Sequence, residues 1–319
     1  MTSTTAPLPS WRPGAARDAV LRFLEDSIAL PVESRVACFD NDGTLWCERP
    51  TYAQFDFFVA ALRARIAVDE SLRARPELAA VLSADRAAMG EIGLTRIALA
   101  LTSLFEGLSP EEFAVEVRAF MAGSEHTTLH RPLMSCVYRP MLELIEELRR
   151  REFTISIVTG GGTEFVRAFS QDLYGVPPEA VVGTLIEYDY ARTEHGQPVL
   201  RRSSRLHGAA NEGAAKVSHI QSQLGRRPVL AAGNSGGDRE MLEWATASDG
   251  PSLALLVEHD DAEREFAYLS SAETFTETEP ITDVGHRLGW TVISIARDWE
   301  TVFAATAEGA DGGSSALPR

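Results

Sequence analysis

The chain has 319 residues, enough for one large domain carrying an insertion or for two domains. Hydrophobic residues at 45% and charged residues at 24% are the proportions of a soluble globular protein, and no stretch is apolar for long enough to span a bilayer. The formal charge of −16 argues against nucleic acid or an anionic membrane surface as a partner, so any anion handled here needs a local cation.

In chain order, residues 1–14 are polar and Pro-bearing with no apolar centre, which predicts a flexible N-terminus and neither a secretory signal nor an anchor. Residues 15–30 carry Val20, Phe23, Leu24 and Ile28 at helical spacing, and Pro31 stops them. Residues 35–39 are short, apolar and partly β-branched, the mark of a buried strand. Cys38 lies inside it as a small buried hydrophobe. With Cys47 and Cys136 it makes an odd set without Cys-x-x-Cys spacing, which fits a reducing cytoplasm and neither a disulfide framework nor a zinc site.

The strand runs out at Asp40-Asn41-Asp42-Gly43-Thr44. Alternation along an extended end sends Asp40 and Asp42 to the same side, where two like charges persist if a cation neutralises them or if their proton affinities are driven apart. The same residues would also make an ordinary turn, so the stretches further along decide between the two.

Residues 51–122 show helical patterns over 52–68, 71–89 and 95–105, then a helix start at Ser109-Pro110-Glu111-Glu112 with Ser109 as the cap. Such a separation between the first strand and the next αβ unit implies an inserted helical domain. His126 and His130 have the spacing of a helical metal pair, but Arg131-Pro132 ends any helix there, and a solvated or packing role is expected.

Residues 140–151 form another amphipathic helix, and 153–159 a strand ended by Gly160-Gly161-Gly162. A helix over 163–174 with Thr163 as its cap would make the junction an anion site; a glycine-rich turn that binds nothing is the equal alternative. Residues 181–190 and 199–202 read as a hairpin or a pair of edge strands. A helix opens near Asn211 and carries Lys216 in its first turn, against the helix dipole. Residues 228–232 form a strand that ends in Gly233-Asn234-Ser235-Gly236-Gly237-Asp238. A short helix over 238–245, a strand over 253–257, a helix over 261–268 and an edge strand over 290–295 complete the pattern, and residues 304–319 read as a disordered tail.

Asp40, Thr159 and Asn234 thus each close a parallel strand, and in a doubly wound sheet such ends line one crevice. Together with Lys216, their order resembles the haloacid dehalogenase superfamily of phosphohydrolases, and the insertion after the first motif, the Ile157-Val158-Thr159-Gly160-Gly161 stretch and the hairpin before Lys216 are most similar to its phosphoserine phosphatase-like branch. The resemblance spans about residues 35–257. It implies an α/β fold, a Rossmann-like doubly wound parallel sheet with an inserted helical cap domain: core 15–47 and 138–303, cap 48–137.

The resemblance further implies that Asp40 is the nucleophile that forms an aspartyl-phosphate and that Asp42 is the acid and base. Asp42, Gly43, Thr159, Gly160, Gly161 and Lys216 would hold the phosphoryl group, and Mg2+ would be bound by Asp40, Asp42, Asn234 and Asp238. The fourth motif has an amide, Asn234, where the family commonly has an acid, which implies weaker Mg2+ binding. Asp42 argues for phosphate esters over haloacids, since the dehalogenases lack the second acid. Trp46 and Glu48 are candidate substrate contacts, although Glu48 stands one position earlier than the Glu that meets the substrate amine in phosphoserine phosphatases. The expectation is a cytoplasmic Mg2+-dependent phosphatase of a small phosphorylated metabolite. A phosphotransferase, a phosphomutase or a non-catalytic phosphate-ligand binding protein would present the same motifs, and the oligomeric state is left open.

Overall fold

In a computed structural model, residues 7–272 and 276–304 are described. The apolar runs form the strands β1 (Val36–Phe39), β2 (Thr154–Gly162), β3 (Val181–Thr184), β4 (Ile186–Arg192), β5 (Pro198–Leu206), β6 (Leu230–Gly233), β7 (Leu253–Glu258) and β8 (Thr291–Ser294). Six of them make one parallel sheet in the order β3-β2-β1-β6-β7-β8. The chain moves outward from β1 through β2 to β3, then crosses back to lay β6 on the other side of β1. The strand order therefore reverses between β1 and β6, and a crevice opens at their carboxyl ends.

Alternation along β1 shows why both faces need cover. Ala37 and Phe39 join a core with Val20, Phe23 and Leu24 of the helix Ala15–Asp26 and Leu144 and Leu148 of the helix Arg139–Arg150. Val36 and Cys38 join Ile220 of the helix Ala214–Leu224 and Met241 and Leu242 of the helix Arg239–Thr246 on the opposite face. Cys38 is fully buried, and burial pushes its thiol up to about 12, so it acts as an inert packing group.

Between β1 and β2 the chain leaves and re-enters the sheet side by side: Tyr138 N–H donates to Leu45 O at 2.9 Å and Cys47 N–H to Cys136 O at 3.0 Å. The helices Ala53–Ile66, Pro76–Leu82, Arg86–Ile92, Leu94–Thr102 and Pro110–Gly123 lie within this excursion. Phe57 is their centre, with ring centroids 5.0 Å from Phe105 and 5.7 Å from Phe113. The Ser109 capping box is present, with Ser109 and Glu112 satisfying each other's backbone N–H groups. Among the described residues no single helix is long and apolar enough to cross a membrane.

Several local expectations are corrected. The 71–89 pattern is broken because Pro76 starts a new helix and Asp85 caps another, its carboxylate accepting from Ala88 N–H. Over 163–174 there are two five-residue helices, and Gly162 rather than Thr163 is the cap; the Thr163 hydroxyl donates to Thr184 O instead. Residues 181–190 split, β3 joining the parallel sheet while β4 pairs with β5 as a separate antiparallel hairpin. Residues 261–268 form a turn rather than a helix, since the Asp261 carboxylate takes the N–H groups of Glu263 and Arg264. The helix Ile281–Leu288 was not expected. His126 donates from Nε2 to Arg49 O at 2.6 Å and accepts at Nδ1 from Thr128 and Leu129 N–H groups, a packing role as expected.

The flexible N-terminus does not extend over residues 7–14. Leu8 and Trp11 are buried, Trp11 Nε1 donates to Pro140 O at 3.0 Å, and its ring lies edge-on to Trp299 at 6.3 Å. Polarity concealed two apolar anchors spaced three apart. The expected C-terminal tail lies outside the described residues except for Ala304. Truncating Trp11 to Ala should cost about 3–5 kcal/mol of unfolding free energy; urea denaturation showing a loss below about 1 kcal/mol would contradict this packing.

Candidate active site

Asp40 follows β1 directly, and its N–H donates to Ala232 O of β6 at 2.9 Å, fixing it at the strand reversal. The next residues fold back: the N–H groups of Thr44, Leu45 and Trp46 all converge on Asn41 O. Gly43 adopts φ +75°, and a Cβ there would overlap the Asn234 amide, so two independent constraints require glycine.

Lys216 is 2% exposed and reaches from the first turn of its helix into the reversal point. Its ammonium donates to Asp40 Oδ1 at 2.7 Å, Asp238 Oδ1 at 2.5 Å and Val158 O at 2.9 Å. Burial alone would lower its proton affinity; the Asp238 and Asp40 charges more than reverse that and raise it. Asp238 Oδ2 accepts from the N–H groups of Asn234 and Ser235, so both oxygens of Asp238 are committed.

Burial and the Asp238 charge push the Asp40 carboxyl well up, with Lys216 working against them. Its Oδ2 accepts from the Thr44 hydroxyl at 3.2 Å. Asp42 is also raised by burial, held back in part by Trp46 Nε1 at 2.8 Å and Asn41 Nδ2 at 3.4 Å. The Thr159 hydroxyl lies 3.5 Å from Asp42 Oδ2. Two acids raised by burial beside one cation leave the site short of positive charge.

Asn234 is held by Glu48. Its Nδ2 donates to Glu48 Oε1 at 3.2 Å and to the Ser270 hydroxyl at 3.3 Å. Burial raises the Glu48 carboxyl, with the Tyr268 hydroxyl bond working against it; because its Oε1 accepts from both that hydroxyl and the amide nitrogen, the Asn234 carbonyl oxygen is turned away from it. Tyr268 donates to the same Glu48 oxygen at 2.7 Å and stacks on His259 at 4.4 Å. His259 Nε2 in turn donates to Gly43 O at 2.9 Å, and its Nδ1 lies 3.2 Å from Glu265 Oε2.

A cavity of about 760 Å3 opens over these groups. Asp40, Asp42, Glu48, Gly160, Gly161, Lys216 and Asn234 line it, as do Phe55, Phe58 and Phe113 from the helical excursion and Tyr188 from β4. Gly43, Thr159 and Asp238 stand behind it. Trp46, expected as a substrate contact, is not in the lining: it is buried, bonds Asp42 and stacks on Phe169 at 5.2 Å. The glycine N–H groups are less open than expected, since Gly161 donates to Thr159 Oγ1 at 3.0 Å and Gly162 to Gln54 Oε1 at 2.8 Å.

His259, Tyr268, Gln54 and Asn211, whose Nδ2 donates to Thr159 O at 2.8 Å, escaped the sequence analysis. His259 carried a usable signal, because it directly follows β7 and so stands at a strand's carboxyl end. Among the described residues no three His, Cys, Asp or Glu side chains converge as a ready metal site. Asp40, Asp42 and Asn234, which line the cavity, carry oxygens of the hard kind that suits Mg2+.

A family model for haloacid dehalogenase-like hydrolases matches residues 37–243. Among solved structures, a protein with unknown function from Bordetella pertussis Tohama I is 17% identical over 81% of this chain and 97% of its own, with TM-score 0.52. A conserved functionally unknown protein from Anaerococcus prevotii DSM 20548 is 13% identical over 76% of this chain and 85% of its own, with TM-score 0.51. Both share the fold. A phosphoserine phosphohydrolase-like protein from Francisella tularensis subsp. tularensis SCHU S4 is 15% identical over 80% and 99% of the two chains, at TM-score 0.39. No curated protein matches the sequence.

Replacing Lys216 by Met removes the cation from between two buried carboxylates and should cost about 3–5 kcal/mol. The sign with pH follows from Asp40, whose folded-state proton affinity is raised. The native variant takes up a proton that the unfolded chain does not, so the cost is largest at neutral and alkaline pH and shrinks on acidification towards the ordinary carboxylate range. Denaturation across pH measures it, and a cost independent of pH would contradict the assignment.

Proposed function

As the chain belongs to the haloacid dehalogenase-like hydrolases, we propose that it hydrolyses a small phosphate monoester with Asp40 as nucleophile. The observation that carries this reading is the buried pair Asp40 and Asp42 at the strand reversal, served by Lys216 and opening on one cavity. Phosphoryl transfer asks chiefly for positioning and for charge neutralisation, and these residues offer both.

Asp40 Oδ1 is anchored by Lys216, which fixes the position of the carboxylate that attacks phosphorus. The P–O bond to Asp40 forms as the ester P–O bond breaks. Asp42, raised by burial and held by Trp46, gives a proton to the leaving oxygen and then takes one from the water that cleaves the aspartyl-phosphate. Lys216 and the Thr159–Gly161 segment balance charge on the phosphoryl oxygens. Mg2+ would be held by the Asp40 carboxylate, the Asp42 carbonyl and the Asn234 carbonyl oxygen, with Asp238 acting behind them because both its oxygens are committed. When bound it would supply positive charge beside the phosphoryl oxygens. The helices of residues 48–137 are the cap, closing the cavity from above and carrying the contacts that choose the alcohol.

Replacing Asn234 by Asp sets a second carboxylate against Glu48 at the present 3.2 Å contact. The single variant should bind Mn2+ no tighter than wild type, and adding Glu48→Gln should release a gain of about tenfold, read by the paramagnetic signal of free Mn2+. A tighter single variant would contradict the Glu48 contact.

The function itself is tested by phosphate release from para-nitrophenyl phosphate and a panel of small phosphate esters, with and without Mg2+. Turnover should require the metal, vanish in Asp40→Asn and fall at least about 100-fold in Asp42→Asn. Absence of turnover on every ester, with an ester still bound, would replace the enzyme by a binding protein.

A further inference from the structure

Two Lys or Arg side chains are fully buried among the described residues, Lys216 at 2% and Arg202 at 5% exposure, and both line the same cavity. Their surroundings differ in kind. Lys216 sits between two carboxylates. Arg202 has no carboxylate within ion-pair distance among the described residues, its Nε has no hydrogen-bond partner, and its Nη1 makes only a 3.5 Å contact with the Tyr188 hydroxyl. Glu164 lends it some favourable field, but that carboxylate is paired with Arg167 at 2.9 Å.

The position is built rather than incidental. Arg202 stands on β5 opposite Tyr188 of β4, and its backbone is bonded on both sides, N–H to Leu108 O and O from Gly107 N–H, each at 2.8 Å. The guanidinium lies 3.6 Å from the centre of the Phe113 ring, which fixes its plane and offsets part of its lost hydration. A buried cation without an anion is costly, and a ring face does not replace a carboxylate. The wall shared with the catalytic end is apolar, from Phe55, Phe58, Ile97 and Leu101. At about 760 Å3 the space exceeds what a phosphoryl group with a short polar alcohol would fill, and it lies within the range of small-molecule sites.

We propose that Arg202 receives a second anionic group on the alcohol half of the phosphate ester, so that the substrate is a monoester with an apolar middle and an anionic far end. The orientation of that substrate rests on the phosphatase reading, which assigns the phosphate to the Asp40 and Lys216 end. The planar guanidinium carries several N–H groups, of which only Nη1 has a partner among the described residues, and neighbouring N–H groups of this kind donate two parallel hydrogen bonds to a carboxylate.

The test is calorimetric binding of ω-phosphonoalkanoic acids of increasing chain length, and of their primary amides, to the wild-type protein with Mg2+. At one chain length the acid should bind about tenfold or more tightly than its amide, Arg202→Gln should equalise the two, and Arg202→Lys should keep part of the difference. The comparison of acid and amide in wild type does not depend on how a variant folds. Acid and amide binding equally at every length, no phosphonate binding at all, or a preference that persists in Arg202→Gln would overturn the proposal. Failure of the phosphatase reading is visible separately, as absence of phosphate release from the matching esters while the binding preference remains.

Discussion

Everything at the crevice depends on one buried ammonium. Lys216 holds Asp40 at the end of β1, Val158 within β2 and Asp238 beyond β6, so a single cation ties together three neighbouring strands. Removing the cation would leave two buried carboxylates without a counter-charge, whereas removing either carboxylate would leave the ammonium paired with the other. The arrangement also explains why Asp238 faces inward: with one oxygen on Lys216 and the other on two backbone N–H groups, it shapes the Asn234 loop rather than offering a free ligand. Asp40 and Asp42, both pushed up by burial, line the cavity while Asp238 does not, and a further cation beside them would offset their charge.

Behind the reacting groups lies a second layer that fixes their orientation. Glu48 turns the Asn234 amide, Tyr268 holds Glu48, and His259 takes the carbonyl of Gly43 while stacking on Tyr268. Glu265 completes the layer by accepting from the Tyr138 hydroxyl at 2.9 Å and the Cys47 thiol at 3.2 Å. The chain leading into the helical excursion, the segment returning from it at Tyr138 and the segment after β7 are thereby bonded together under the Asp40–Thr44 turn. The replacement of the family's usual acid by Asn234 fits this layer, because the amide donates to Glu48 and an ionised carboxylate has no proton to give. Other elements complete the cavity: the helices after β1 supply apolar surface, and the β4–β5 hairpin supplies Arg202.

The sheet was legible because its strands are short apolar runs whose ends carry glycines and polar acceptors, and both signals are local. Asp40, Asn234 and Lys216 could be placed at one crevice from strand order alone. What escaped depends on contacts between distant segments. Leu8 and Trp11 sit in a polar stretch, and only Pro140 and Trp299 explain why they are buried. Residues 261–268 have the spacing of a helix, but the Asp261 side chain captures the N–H groups that a helix would use. Trp46 follows the acids as a candidate substrate contact, but its indole N–H turns inward to Asp42 rather than outward to a ligand. Arg202 carries no signal in the 199–202 strand, since the absence of a partner is a property of the folded cavity.

The central claim is that Asp40 becomes covalently phosphorylated. Rapid acid quenching during turnover of a phosphate ester, followed by borohydride reduction and peptide mass analysis, reads this directly, because reduction of an aspartyl-phosphate leaves homoserine. The account predicts homoserine at position 40 and nowhere else. Phosphate release at full rate with aspartate intact at position 40, or homoserine at position 42 instead, would contradict it.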